Sequence, residues 1–395
     1  MSIKLSQRVQ AVKPSPTLAI TARAAELRAA GKDVIGLGAG EPDFDTPDHI
    51  KEAAIQAIHD GKTKYTPVDG TAELKQAVIE KFRRDNGHEY AAEQILVSCG
   101  GKQSFFNLAQ ALLDPGDEVI IPAPYWVSYP DMTILAGGIP VYIRAGAAQQ
   151  FKIMPEQLAA AITDKTRLLV LNSPSNPTGM AYTRAELEAL GDVLRQYPNI
   201  LVATDDMYEH ILWSDEPFCN ILMACPDLYD QTMVLNGVSK AYSMTGWRIG
   251  YAGGPADIIR SMKKIQSQST SNPASISQAA AVAALNGPQD AIGTMLKAFR
   301  ERHDYVVERL NGMKGIECLP TDGTFYVFPN IEGMIEATEG VSNDLEMGEY
   351  LIENAGVAVV PGSAFGLGGH MRISIATGMD ALEKALDRIE KVVNG

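Results

Sequence analysis

The most constraining feature of this chain is a repeated exchange between two hydrophobic rhythms. Short apolar runs of strand length alternate with longer stretches in which apolar residues return every three or four positions. Such alternation builds a largely parallel sheet covered by helices on both faces. The first clear helix is expected over residues 46–61, with Thr46 as N-cap, Pro47 at the first position, Ile50, Ala54 and Ile58 on one face, and Gly61 as the stop. A second runs from about Thr71 to Asn86, with Leu74, Val78 and Phe82 on one side. Ile95–Ser98 reads as a strand entering Gly100-Gly101-Lys102 and a helix, and further strands follow near 118–121, 168–171, 201–205 and 232–236. Thr183 and Glu186 form a capping box that opens another helix. From about residue 276 the character changes. Two helices, 276–286 and 289–312, precede short strands at 324–328, 357–360 and 371–375, and a last amphipathic helix turns Leu382, Leu386, Ile389 and Val393 inward. This pattern puts a large α/β domain at 46–285 and a smaller α+β domain in the two chain ends, 1–45 and 286–395.

A length of 395 residues accommodates two such domains. The net charge of −14 argues against nucleic acid as a partner, since phosphate backbones are bound by basic surface. It leaves room for a local positive pocket that takes a small anion. Cys99, Cys219, Cys225 and Cys318 form no C-x-x-C pair, and the six histidines are dispersed without a zinc spacing. No metal is therefore expected, and free thiols fit a reducing compartment. The opening MSIKLSQRVQ is polar, and no apolar run reaches the roughly 18 residues that suggest a membrane span. The expectation is a cytoplasmic protein without membrane contact.

The stretch richest in chemistry runs from Asn236 to Tyr251. A strand ends at Asn236, so Lys240 falls just beyond the C-terminal edge where open α/β sheets bind ligands. An amine there can condense with an aldehyde cofactor, and Arg248 could grip a phosphate through its fork of donors. A lone lysine is more often a solvated surface charge; the Gly, Ser, Thr and Trp-Arg surroundings favour the functional reading. Gly100-Gly101-Lys102 offers backbone N–H groups to an anion at a helix start, although many strand-to-helix turns use glycine only to turn. Asp205 ends an apolar strand, where its carboxylate could pair with a protonated pyridine nitrogen; Tyr208 could donate to a phenolic oxygen, and Asp206 is assigned the helix cap. Asn176, in Asn-Pro-Thr-Gly, could reach the same oxygen. Arg372 lies in an apolar strand and needs either a structural carboxylate or an incoming one. Trp126 could stack on a ring, although alone it reads as core.

In order and nearly end to end, these segments resemble the fold-type I pyridoxal-phosphate enzymes, and more narrowly the bacterial subgroup of class I aspartate aminotransferases. The likeness runs from Lys13-Pro-Ser-Pro-Thr17 through Ala39-Gly40-Glu-Pro-Asp-Phe44 and Lys64-Tyr65 to Arg372. Ser239-Lys240 through Tyr251 is its most specific part. The resemblance implies a mostly parallel seven-stranded sheet between helices, a small α+β domain, and pyridoxal 5′-phosphate as cofactor. It implies that Lys240 carries the cofactor, Asp205 meets its pyridine nitrogen, Tyr208 and Asn176 hold its ring oxygen, and Trp126 stacks on its face. Gly101, Lys102, Ser239 and Arg248 would surround its phosphate. Tyr65 would reach the phosphate of a neighbouring subunit, which requires a homodimer. Gly40 and Arg372 would receive the substrate α-carboxylate. Two departures stand out. Gly237 replaces a serine that contacts the phosphate in relatives, and the loop Gln266–Pro273 lacks the arginine that reads the distal carboxylate in animal-type enzymes. Lys13 and Lys102 would take that role.

The implied reaction is a two-step exchange at one site. An amino acid displaces Lys240, whose freed amine moves the Cα proton, and a 2-oxo acid leaves before a second one reverses the sequence. Aspartate or glutamate with 2-oxoglutarate or oxaloacetate is the expected pair. Prephenate, aromatic or small apolar amino acids are alternatives. A pyridoxal-phosphate-dependent β-lyase acting on cysteine conjugates is a second reading, and a non-enzymatic cofactor-binding regulator is a third.

Overall fold

The structure is a computed structural model, and it describes residues 3–12, 14 and 16–394. The first strand, β1 (Ile35–Gly36), lies apart from the main sheet. That sheet has seven strands: β2 (Ile95–Ser98), β3 (Glu118–Ala123), β4 (Ile139–Arg144), β5 (Thr166–Asn172), β6 (Leu201–Asp205), β7 (Thr232–Gly237) and β8 (Gly250–Gly253). Their order is β2-β8-β7-β6-β5-β3-β4. Strand β8 is antiparallel to both neighbours, and the other pairs are parallel. Two reversals leave β2 pointing the same way as β7, so the C-terminal ends of β2, β5, β6 and β7 share one edge.

Side-chain alternation explains why these runs are apolar throughout. Leu96, Val119, Ile121, Leu168, Val170, Met233 and Leu235 pack into one core with the helix Gly101–Leu112. Their neighbours Ile120, Leu169, Leu171 and Val202 join a second core on the other face, and Ile95, Val97 and Val234 a third. A strand buried on both sides needs an apolar residue at every position.

The remaining strands are short. They are β9 (Tyr326–Val327), β10 (Val357–Ala358), β11 (Val360–Pro361) and β12 (Met371–Ser374). Strand β10 pairs in parallel with β1, and β12 lies antiparallel between β11 and β9. The expected run 357–360 is thus two strands in two sheets. A separate core joins Leu37 to Phe299, Phe325, Val359, Ile373 and the inward face of the helix Met379–Asn394. Leu37 ties the two chain ends through its backbone: its N–H donates to the Ala358 carbonyl at 2.8 Å, and its carbonyl accepts from the Ser374 N–H at 2.8 Å.

The capping box at Thr183 and Glu186 forms as expected, and Thr71 caps the helix Ala72–Lys81 by accepting from the Leu74 N–H. That helix continues as a wider turn over Phe82–Asn86. Thr46 is a correction. The helix spans Asp48–His59 with Pro47 at its N-cap and no side-chain cap. The Thr46 hydroxyl is engaged elsewhere, donating to the Ser243 carbonyl at 2.7 Å and accepting from Trp247 Nε1 at 3.0 Å. Tertiary partners near Lys240 outcompete the local cap. Among the described residues, no helix is long and apolar enough to cross a membrane.

Candidate active site

Three neighbouring strands deliver polar residues to one edge. In the sheet register Asn172, the last residue of β5, is opposite Asp205, the last of β6, and Asp205 is opposite Leu235 of β7. The chain therefore sets down Asn176, Asp205 with Tyr208, and Ser239 with Lys240 side by side. Asp205 is fixed from both sides. Tyr129 donates its hydroxyl to Oδ2 at 2.5 Å, and the Met207 N–H donates to Oδ1 at 3.3 Å. Burial raises the carboxyl's pKa, against the pull of Tyr129 and Met207 and of the nearby Lys240 charge. A cation placed against it would lower that pKa.

Asp206 does not cap a helix, contrary to its assignment from sequence. It is fully buried, accepting from Thr204 Oγ1 at 2.7 Å and from Asn220 Nδ2 at 2.6 Å. Alternation along β6 sends it to the opposite face from Asp205, and the cap-like bond to a backbone N–H two residues on is made by Asp205 instead.

Lys240 follows β7, and its Nζ donates to the Gly40 carbonyl. Burial, then the Arg372 charge, brings its pKa down to about 8. Arg372, on β12, is buried without a salt bridge among the described residues. Its Nη1 donates to Asn176 Oδ1 at 2.9 Å and its Nη2 to the Gly38 carbonyl at 2.8 Å, while Nε has no partner. Tyr326 and Phe365 flank the guanidinium at 4.3 and 4.9 Å. An internal carboxylate partner is therefore not what keeps this arginine buried. Neutral acceptors and aromatic faces hold it, and burial lowers its pKa.

Gly40, Lys102, Trp126, Asn176, Asp205, Tyr208, Ser239, Lys240, Arg248 and Arg372 all line one cavity of about 390 Å³, together with Gly101. Next to Gly101, Gly100 turns with φ of +87°, and an added Cβ would lie 2.2 Å from the Arg248 guanidinium. Lys102 extends over the Trp126 ring at 5.2 Å. Tyr65 is outside this cavity and 91% exposed. Lys13 lies outside the described residues. Sequence reasoning missed Tyr129 and Tyr326, both cavity-lining. Tyr129 sits in the aromatic segment that drew attention to Trp126, but nothing in its spacing separates it from core.

The family model described as "Aminotransferase class I and II" matches residues 32–389. The chain belongs to the class I and II aminotransferases. A protein of Nitrosomonas europaea named aspartate/prephenate aminotransferase is 61% identical, over 99% of this chain and 100% of its own. One of the same name from Cereibacter sphaeroides is 55% identical, over 99% of each chain. Among solved structures, the aspartate aminotransferase of Rhizobium meliloti superposes with a TM-score of 0.96 at 49% identity, covering 100% of this chain and 99% of that one. The Thermus thermophilus aspartate aminotransferase with maleate gives 0.93 at 44%, covering 99% and 100%. This aminotransferase accordingly uses pyridoxal 5′-phosphate to exchange an amino group between an amino acid and a 2-oxo acid.

Proposed function

We propose that Lys240 ties the cofactor to this aminotransferase, that Asp205 meets its ring nitrogen, and that Arg372 receives the substrate α-carboxylate beside Gly40. The observation that carries this reading is the convergence on one cavity of a low-pKa amine, a half-buried carboxylate and an arginine without a carboxylate partner among the described residues. Pyridoxal 5′-phosphate supplies an aldehyde that condenses with amines and a ring that draws electrons from the adjoining carbon. The residues suit it. The loop at Gly100 and Gly101 leaves only bare backbone beside the Arg248 cation, as a phosphate requires, with Lys102 and Ser239 alongside. Trp126 covers the ring face. Tyr208 and Asn176 hold the ring oxygen; Asn176 turns its Oδ1 to Arg372, which leaves its Nδ2 to donate. Once released, the Lys240 amine takes the substrate Cα proton, and Arg372 keeps that bond aligned for removal.

Aspartate and glutamate are the proposed donors, with 2-oxoglutarate or oxaloacetate as acceptors and prephenate as a further acceptor. The relatives' names pair aspartate with prephenate, and the Thermus structure carries maleate, a dicarboxylate. Lys102 supplies a cation for a distal carboxylate, and Lys13 is the proposed second. Tyr65 serves a neighbouring subunit in a homodimer, which its exposure supports. Four free cysteines support a cytoplasmic setting.

The test is spectral. Loaded protein should absorb in the visible, aspartate or glutamate should bleach it, and a 2-oxo acid should restore it. Lys240→Ala should lose that cycle. Product formation without an acceptor acid would favour lyase chemistry, and a parent protein that takes up no pyridoxal 5′-phosphate would end the reading.

A further inference from the structure

Tyr326 has no role in the reading above, yet it touches three of the residues on which that reading depends. It lies on β9, opposite Ser374 of β12, and is 1% exposed. Its hydroxyl is 3.1 Å from the Tyr208 hydroxyl. Its ring lies 4.3 Å from the Arg372 guanidinium. A Cβ on Gly40 would come within 2.9 Å of its oxygen, so the glycine clears the space this hydroxyl occupies.

We propose that Tyr326 is a positioning residue with two separable jobs: its hydroxyl directs the Tyr208 proton into the cavity, and its ring holds Arg372 in place for the substrate carboxylate. Burial raises the pKa of both phenols, so each carries its proton at neutral pH. One O···O contact uses one proton. If Tyr326 donates, the Tyr208 proton is left for an acceptor in the cavity, which on the reading above is the cofactor's phenolic oxygen. The rest of Tyr326's surroundings favour that direction. Both tyrosines line the cavity, and Tyr326 is the more deeply buried, 1% exposed against 4% for Tyr208, which leaves Tyr208 the better placed to meet a ligand there. The ring's role follows from Arg372 having no carboxylate partner: an aromatic face compensates part of its burial and holds the planar fork at the cavity wall.

This rests on the proposed roles of Tyr208 and Arg372. Its experiment is Tyr326→Phe, which deletes the hydroxyl and keeps the ring. A donor on the phenolic oxygen makes the lysine-bound cofactor more acidic, so weakening that donor should raise the pH midpoint of its absorbance change. The expected rise is about 0.5–1 pH unit, the size of one hydrogen bond. KM for aspartate should change by less than about twofold, because the ring still supports Arg372. Tyr208→Phe should raise the midpoint further, and adding Tyr326→Phe to it should change nothing more, since the hydroxyl acts through Tyr208. A general packing defect would not give that non-additivity. Gly40→Ala, which crowds the same hydroxyl, should also raise the midpoint and covers the case in which Tyr326→Phe folds poorly. An unchanged midpoint in Tyr326→Phe, or additive shifts in the double variant, overturns the proposal alone. A parent without cofactor absorbance overturns the underlying reading and the proposal with it.

Discussion

A lysine withdrawn from water and set near arginines gives up its proton early. With its pKa at about 8, roughly a tenth of Lys240 is uncharged at pH 7, against about 0.03% for an ordinary lysine. The cofactor-free protein should therefore condense with aldehydes at a rate that rises about tenfold per pH unit up to 8 and then levels off. Stopped-flow absorbance checks this, and a rate still climbing at pH 10 would refute it. The same shift bears on stability. Between about 8 and 10.5 the unfolded chain holds a proton that the folded lysine has lost, so this residue's contribution grows as pH rises through that window and is absent below it. Lys240, Asp205 and Arg372 were legible in the sequence because each is a charge at a strand end or within an apolar run, where a charge needs a reason. Tyr129 and Tyr326 were not. A tyrosine among apolar residues reads as core, and their decisive hydroxyl contacts span 76 and 118 positions. Asp206 misled because two adjacent acids invite a capping assignment, and only the strand's alternation shows which one faces the site.

Among the elements, the parallel strands of the main sheet announce themselves because burial on both faces demands unbroken apolar runs. Strands β4 and β8 escaped for opposite reasons. Strand β4 is a half-exposed edge, and β8, Gly-Tyr-Ala-Gly, carries too little β-branched or aromatic side chain to read as a strand. Its glycines answer to packing: a Cβ on Gly250 would meet the Gly101 backbone at 2.2 Å. Gly237 is similarly confined, since a Cβ would lie 3.0 Å from the Ile249 carbonyl. The loop after β2 gives the sharpest test. Gly100→Ala adds strain at a φ of +87° and displaces Arg248, and should weaken cofactor affinity about 10- to 100-fold in equilibrium dialysis. Gly116→Ala is the control. It carries the same kind of strain, with a φ of +99°, but has open space around its Cβ, and should lower the melting temperature without affecting the cofactor. Equal losses of affinity in both would reduce the Gly100 effect to backbone strain alone.

For the molecule as a whole, we propose the division read from the sequence, a large unit over 46–285 with a smaller one from the chain ends. It is supported by the separate core around Leu37 and Ile389 and by the pairing of β1 with β10. The homodimer has its own test. If Tyr65 serves the partner's site, a Tyr65→Ala chain and a Lys240→Ala chain, each nearly inactive, should regain activity when refolded together. One site in such a mixed dimer has both residues intact, so up to about a quarter of the parent's rate per chain is expected from random pairing. No recovery, with mixed dimers verified by mass, would place Tyr65 in its own subunit's chemistry or in none.

The segment just after β1 has one more consequence. The carbonyl of Gly38 accepts a hydrogen bond from Arg372, and that of Gly40 accepts one from Lys240. Both key cations are moored to peptide oxygens, which every amino acid possesses. Mutation at 38 or 40 can alter the berth's shape but cannot erase its polarity. The positive charges stay on station through sequence drift, and each arriving ligand exchanges with a neutral occupant and breaks no ion pair on the way in.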